Sequence, residues 1–189
     1  MFVLYALAIG VGVGLLCGGR PAGLGALRFR WSALIVAGLA VQVVLFSAPV
    51  ADRVGTLGPG IYVASSALMF AAILANRSIR GMGIVALGAA SNLAAIVANG
   101  GYMPASQAAM DALGKTDPSS YSNSDVVAKP ALAPLTDVFA LPGWLPFANV
   151  FSVGDVLIGI GIVVTIVAAM RDAPRAEPAS TVEGAPVTT

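Results

Sequence analysis

Five apolar stretches, each close to the length of a membrane-spanning helix, constrain this chain more than any other feature. A helix needs about 20 mostly apolar residues to cross the hydrocarbon core of a bilayer. Stretches of this kind occupy residues 2–19, 32–50, 57–76, 82–99 and 151–170. Charged residues make up only 10% of the chain, against roughly a quarter in an average soluble domain. The sequence therefore predicts an all-α membrane protein, built as a five-helix transmembrane bundle.

The distribution of arginine and lysine predicts the orientation of this bundle, because these residues accumulate on the cytoplasmic side of membranes. With the N-terminus outside, the inner segments contain Arg20, Arg28, Arg30, Arg77, Arg80, Arg171 and Arg175, and the outer segments contain Arg53, Lys115 and Lys129. We therefore expect an outer N-terminus and a cytoplasmic C-terminus. The abundance of Ala and Gly, with Arg outnumbering Lys, indicates a bacterial source. The expected location is the bacterial cytoplasmic (inner) membrane.

Residues 100–150, here called the outer cap, form the longest segment between apolar stretches. A short helix is expected after Ser106, ending near Gly114, and the polar residues 116–125 predict turns. The rest of the cap is apolar but is interrupted by four prolines, which are incompatible with a spanning helix. We expect it to lie along the outer membrane interface. Residues 1–170 then form the transmembrane domain, and residues 171–189 are predicted to be a disordered cytoplasmic tail.

The first apolar stretch is distinguished by small residues. Gly10, Gly14 and Gly18 recur every four residues, a spacing that allows close packing between membrane helices. Cys17 is the single cysteine, so it cannot form a disulfide within the chain. We expect it to act as a small packing residue.

The absence of histidine excludes several kinds of function. Catalytic triads that contain histidine and zinc sites built on histidine are ruled out within the chain. The net charge of +1 argues against nucleic-acid binding, which requires a concentrated basic surface. No metal site and no cofactor are predicted, and a non-enzymatic role is favoured over an enzymatic one.

Asp155 is the only acidic residue within a predicted spanning stretch, about one turn into the last helix. A carboxylate at the bilayer centre costs about 2.5–3.5 kcal/mol on insertion scales, and less near the interface. Such residues usually face the bundle interior or a wet cavity, and they mark functional sites. Alternatively, a carboxylate at the start of a helix is stabilised by the helix dipole and by interfacial water. Both interpretations of Asp155 remain open at this stage.

Polar side chains from three further helices are expected at a similar depth. At ~1.5 Å per residue, Asp155 and Asn92 lie roughly 6–10 Å, and Gln42 about 12 Å, below the outer ends of their helices. Hydrogen bonding between helices would explain each of them singly. As a layer, they predict a polar pocket that opens to the outer face. The candidate ligand-binding residues are Asp155, Asn92, Gln42, Ser65, Ser66, Asn99 and Asn149.

Two short boxes carry a family resemblance. The sequences NGGYMP (99–104) and NVFSVGDVLIGIG (149–161) resemble an uncharacterised family of bacterial membrane proteins that is defined only as a domain of unknown function. The resemblance implies a polytopic membrane protein and does not imply an activity.

The sequence LPFANVFSVGDVLIG (145–159) also resembles the last conserved box of lipoprotein signal peptidases, in which a proline-aromatic-Asn-x-Ala-Asp pattern opens the final helix. This resemblance implies that Asp155 is one half of an aspartyl dyad. Asn149 precedes Asp155 by more residues than in that pattern, and Ala95 stands where the second aspartate is expected. Two alternatives remain open: Asp137 of the cap folds back to act as the partner, or Asp155 acts alone in binding. The candidate catalytic residues are therefore Asp155 and Asp137.

The leading hypothesis is a membrane protein that binds a lipid-like or small amphipathic ligand, or a helix of a partner membrane protein. Its site would be the outer-leaflet pocket around Asp155. One alternative is an aspartyl-type intramembrane hydrolase distantly similar to lipoprotein signal peptidase. Another is a purely structural or assembly subunit. Membrane lipid is an expected partner in every case.

Overall fold

A computed structural model of the protein describes residues 2–113 and 124–172. The described part is mostly helical, and five of its helices are long. These are α1 (Phe2–Leu16), α2 (Ser32–Leu45), α4 (Gly58–Ala75), α5 (Met82–Ala98) and α7 (Val153–Arg171), with the short helices α3 (Ala48–Val54) and α6 (Gln107–Ala112) between them. Most of the predicted turn segment 116–125 and the predicted tail from residue 173 lie outside the described residues. Ser124 and Asp125, at the end of that segment, belong to a short strand instead of a turn.

Successive long helices run in opposite directions, so their ends meet at two opposite ends of the bundle. The starts of α1, α4 and α7 lie at the same end as the outer cap, and we call this the cap end. The opposite end is called the distal end. Packing neighbours follow the order α1–α7–α5–α4–α2, so α7 lies between α1 and α5.

Within the described part of the chain, two helical stretches are long and apolar enough to cross a membrane, namely Pro49–Ala75 and Val153–Arg171. The former runs through α3 and α4, which are joined by a 3₁₀ turn at Gly55–Leu57. The helices α1, α2 and α5 are also apolar but are too short to count as candidate membrane spans. Large hydrophobic side chains are exposed on every one of the five long helices, including Ile9, Val36, Leu68, Leu87 and Ile160.

The predicted second stretch, residues 32–50, is not one continuous helix. α2 ends at Leu45, where the N–H of Phe46 still donates to the carbonyl of Gln42. Pro49 lies in the first turn of α3, and proline is accepted there because it lacks the N–H that a helix interior requires. The prediction of one helix to residue 50 is therefore wrong. Gln42 lies only about 5 Å from the end of its helix, not about 12 Å.

Glycines bring α5 and α7 into backbone contact. Gly88 lies against Gly154, and Gly81 lies against Gly161, so the two pairs recur two turns apart along both helices. A Cβ atom at Gly88 would be 2.4 Å from the carbonyl oxygen of Gly154, and one at Gly161 would be 2.8 Å from that of Gly81. Only residues without a side chain allow this approach.

Gly10 and Gly14 perform the same role between α1 and α7, where they are buried against Ile166 and Met170. Gly18 does not belong to this stripe, which corrects the sequence-based expectation. It follows the end of α1 with φ +73 and has nothing within 4 Å of a Cβ position. The N–H groups of Gly18 and Gly19 bond back to Leu15 and Gly14. This is a Schellman C-cap, which favours glycine.

Two asparagines fasten opposite ends of the bundle in the same way. Asn76 and Asn99 are the C-cap residues of α4 and α5. Each side chain donates to the carbonyl four residues earlier and also pairs with both backbone groups of a distant residue. That residue is Arg30 for Asn76 and Ala131 for Asn99, with bonds of 2.8–2.9 Å. Asn99 thereby attaches the outer cap to α5.

The outer cap contains short strands that the sequence did not predict. β1 (Met103–Ala105) pairs in parallel with β2 (Ser124–Val126), and β3 (Phe139–Ala140) pairs antiparallel with β4 (Val150–Phe151). The predicted short helix is confirmed as α6, with Ser106 accepting a hydrogen bond from the Ala109 N–H at its start.

Aromatic rings join the cap to α1. The Phe2 and Phe151 ring centroids are 4.9 Å apart, and those of Phe139 and Phe151 are 5.4 Å apart, both pairs being stacked. The Tyr5 hydroxyl donates to the carbonyl of Pro146. The cap is thus attached to the first helix as well as to α5 and α7.

The glycine contacts predict the effect of a single methyl group. Gly161→Ala should lower the free energy of unfolding by about 1–3 kcal/mol, because its Cβ meets the backbone of α5 and one helix must move. Gly83→Ala in α5 is the control, since nothing lies within 4 Å of its Cβ position. Thermal unfolding of the purified proteins in detergent measures both variants. Equal melting temperatures for the two would contradict this account of the helix contact.

Candidate functional site

Asp155 lies in the first turn of α7, nearer the helix start than the sequence suggested, because α7 begins at Val153 rather than at residue 151. It forms a capping box with Ser152, in which the Ser152 hydroxyl accepts from the Asp155 N–H at 3.0 Å. In return, the Ser152 N–H donates to Asp155 Oδ2, also at 3.0 Å. Both bonds satisfy N–H groups that a helix start leaves without partners. Asp155 therefore stabilises the start of α7.

The capping box is also bound across the helix interface to Asn92 of α5. The Asn92 side chain donates from Nδ2 to Asp155 Oδ1 at 2.9 Å. Ser152 Oγ lies 2.8 Å from Asn92 Oδ1 and 3.1 Å from Asp155 Oδ2, so its one proton has two acceptors within reach. Ser152 is fully buried, whereas Asp155 and Asn92 are half-buried. The three side chains form a single hydrogen-bonded cluster at the cap end.

This cluster forms part of the wall of a cavity of about 300 Å³ beneath the cap. All five long helices contribute to its lining, together with β1, the segment before β3 and the segment before α7. The lining residues are Phe2, Val3, Gln42, Tyr62, Asn92, Ile96, Met103, Asp137, Asn149, Val150 and Asp155. The lining thus combines apolar and aromatic groups with carboxylates and carboxamides around one space.

Five of the sequence-derived candidates meet at this cavity: Gln42, Asn92, Asn149, Asp155 and Asp137. Asp137 is buried, with 5% of the residue's surface exposed, and its backbone bonds to Pro104 and Ser106 hold it beside β1. Asn149 is half-buried, and its carbonyl accepts from the N–H of Leu141.

The other three candidates, Ser65, Ser66 and Asn99, lie away from the lining. Gln42 donates from Nε2 to the hydroxyl groups of Ser65 and Ser66, at 3.3 and 3.1 Å. These serines therefore orient a lining residue from behind and join α2 to α4. Asn99 bonds to backbone groups of α5 and the cap, so it holds the outer cap in position over the cavity.

Sequence reasoning missed Ser152, although the signal was present. Ser152 and Asp155 have the Ser-x-x-acid spacing of a capping box directly before an apolar run. Tyr62, Met103 and Phe2 of the lining carried no comparable signal, because apolar residues are abundant throughout the chain. Among the described residues, no group of three or more cysteine, aspartate and glutamate side chains comes together as a metal site would require.

The fold and the cavity define a class of protein, namely a helical bundle with apolar outer faces, two candidate membrane spans and a polar cavity under a cap. A family model described as "Family of unknown function (DUF5317)" matches residues 26–167. This is more than half of the chain, so the protein belongs to that family. No curated protein and no solved structure matches the chain.

The cluster predicts an energetic coupling between α5 and α7. Asn92→Ala and Asp155→Ala should each destabilise the protein, because each removes a partner from a half-buried hydrogen bond. Their combined effect should fall short of the sum by about 0.6 kcal/mol, the average measured for hydrogen bonds between helices in a membrane protein, and by at most about 1.7 kcal/mol. Thermal unfolding of the two single variants and the double variant gives this coupling. Ser66→Ala with Asp155→Ala serves as the control pair, and a coupling of the same size there would refute the direct contact.

Proposed function

We propose that this protein is a polytopic protein of a bacterial cytoplasmic membrane, with five spanning helices and the cap on the outer face. The alternating directions of the helices support this proposal, as do the large apolar side chains exposed on all five. A helix that is apolar on every side requires an apolar surrounding. Water-soluble monomers rarely expose such extended apolar surfaces.

The charges of the described residues support the orientation. Arg20, Arg28, Arg30, Arg77, Arg80 and Arg171 lie at the distal end, whereas Arg53 and Lys129 lie at the cap end. By the positive-inside rule, the distal end faces the cytoplasm. The helices α1 and α2, with 15 and 14 residues, are shorter than the bilayer core requires. Long arginine side chains that extend to the headgroups and local thinning of the bilayer accommodate short helices at modest cost.

Cysteine labelling tests the orientation. In a Cys17→Ala background, Ala128→Cys in the cap and Ser78→Cys between α4 and α5 both introduce a thiol at an exposed position. In intact spheroplasts, a membrane-impermeant maleimide should modify only the former, and both should react after the membrane is permeabilised. Labelling of the Ser78 position in intact spheroplasts would refute the orientation, and recovery of the protein in the soluble fraction would refute the membrane assignment.

We propose further that the cavity beneath the cap binds the polar end of a lipid-like or small amphipathic ligand. The single observation that carries this proposal is the convergence of two carboxylates and three carboxamides with apolar side chains around one space of about 300 Å³. Ligand sites are typically apolar pockets with a few oriented polar groups. A cavity of this size holds a head group, while the apolar part of the ligand lies along the helices.

The chemistry of the lining narrows the ligand. Among the described residues, the lining includes Asp137 and Asp155 but no lysine or arginine, so these two carboxylates disfavour an anionic head group. Carboxylates accept hydrogen bonds and do not donate them when ionised. The polar end of the ligand is therefore expected to carry donors, as hydroxyl, amide and ammonium groups do.

A matched pair of lipid probes tests this cavity. Monooleoylglycerol carries two hydroxyl donors, whereas methyl oleate has the same chain and none. Native mass spectrometry of the full chain in detergent should detect tighter binding of monooleoylglycerol. Gln42→Leu and Asn149→Ala should each weaken it up to tenfold, as expected when one hydrogen bond is lost. Gln107→Ala, at an exposed site on α6 outside the lining, should have no effect, and equal binding of the two probes would refute the proposal.

One observation favours an aspartyl-type hydrolase as the second candidate, because Asp137 and Asp155 line the same cavity. Such an enzyme needs two carboxylates that share one proton, one activating water and the other protonating the leaving group. Asp137→Asn separates the two functions. It should abolish cleavage of a quenched fluorescent peptide mixture by the reconstituted hydrolase, whereas a binding protein cleaves none of the mixture.

The capping box supports a third function, a purely structural subunit in which Asp155 only starts α7. This proposal predicts that monooleoylglycerol binds no better than methyl oleate and that the lining variants alter stability alone. The same probe measurements therefore separate a binding site from a structural one.

A further inference from the structure

A second cavity, of about 550 Å³, lies at the distal end of the bundle, opposite the cap. Its walls are apolar and come from α1 and α7, including Val13, Val164 and Val167. Its rim carries Arg80, Arg171 and Asp172. We call this space the distal groove.

The rim charges are held on rigid elements. Arg171 lies in the last turn of α7, where a cation is favoured by the helix dipole. The backbone of Arg80 is fixed by the Thr165 hydroxyl, which donates to its carbonyl at 2.8 Å. The guanidinium of Arg80 forms an exposed salt bridge with Asp172 at 3.2 Å. Arg171 takes no part in any ion pair among the described residues.

We infer that the distal groove binds one anionic phospholipid, with its phosphate between Arg171 and Arg80 and an acyl chain along the valines. The described residues of the rim include two arginines and one aspartate, with a net charge of +1, which complements a phospholipid with a net charge of −1. The adjoining valine walls favour a lipid over a free phosphate ion, because an ion would leave them in water. Basic pockets between helices on the cytoplasmic side recognise such head groups.

This inference rests on the proposed membrane orientation, in which the distal end faces the cytoplasm, and is independent of the cavity under the cap. If cysteine labelling confirms the orientation and the lipid experiment below fails, only the proposed lipid site in the distal groove is overturned.

Native mass spectrometry of the full chain with dioleoylphosphatidylglycerol or dioleoylphosphatidylcholine tests the inference. The former should bind about fivefold or more tightly, the effect of about one arginine beside an anionic head group. Arg171→Gln should remove this preference. Arg77→Gln is the matched control, because Arg77 is exposed at the same end but does not line the groove. Equal losses from the two variants would show charge attraction without a site and would overturn the inference.

Two further variants make the experiment independent of a simple loss of charge. Asp172→Asn frees Arg80 from its salt bridge and should strengthen binding of the anionic lipid, which a folding defect would not do. Val164→Trp fills the groove and should weaken binding without altering the rim charges, whereas Val36→Trp on the exposed face of α2 should not. Weaker binding in Asp172→Asn, or competition by millimolar inorganic phosphate, would overturn the assignment to a lipid.

Discussion

The contact between α5 and α7 at their glycines is the constraint on which the rest of the structure depends. A Cβ atom at Gly154 would lie 1.9 Å from Asn92 Oδ1 and 2.8 Å from the carbonyl oxygen of Gly88. Because no side chain separates the two backbones, the short Asn92 side chain reaches both Asp155 and Ser152. The hydrogen-bonded cluster at the cap end is therefore a consequence of helix packing. Its geometry would be lost if these helices moved apart by the width of a methyl group.

The cavity is shaped by attachments at both its floor and its roof. The floor is formed by the helix ends, with Gln42 held by the two serines of α4. The roof is held by Asn99, which pairs with the backbone of Ala131, and by the ring of Phe151, which stacks between Phe2 and Phe139. These attachments come from different helices. The polar groups around the cavity are consequently held in fixed orientations, which would lower the entropic cost of binding the proposed ligand.

The apolar runs indicated where the long helices lie because hydrophobicity is a local property of the sequence. The break before Pro49 and the Ser152–Asp155 capping box were also locally encoded, by a proline and by a Ser-x-x-Asp spacing. The strands of the cap were not encoded locally, since each has only two or three residues and is defined by its pairing with another strand. The approach of Asp137 to the cavity likewise depends on the path of the cap, which no periodic pattern records. The membership in a family of unknown function accords with one stated resemblance, and the likeness to signal peptidases stays a hypothesis.

Asp155 stabilises the start of α7, and its carboxylate can accept a further hydrogen bond as well. An ionised carboxylate offers about four acceptor positions, and the bonds to Asn92 and Ser152 use at most three of them. The helix dipole favours an acid in the first turn of α7 and a base in the last, and Asp155 and Arg171 occupy these turns. Each of them also lines a cavity, one under the cap and one at the distal end. The electrostatics that stabilise α7 therefore agree with the two proposed sites, one for hydrogen-bond donors under the cap and one for an anionic lipid at the distal end.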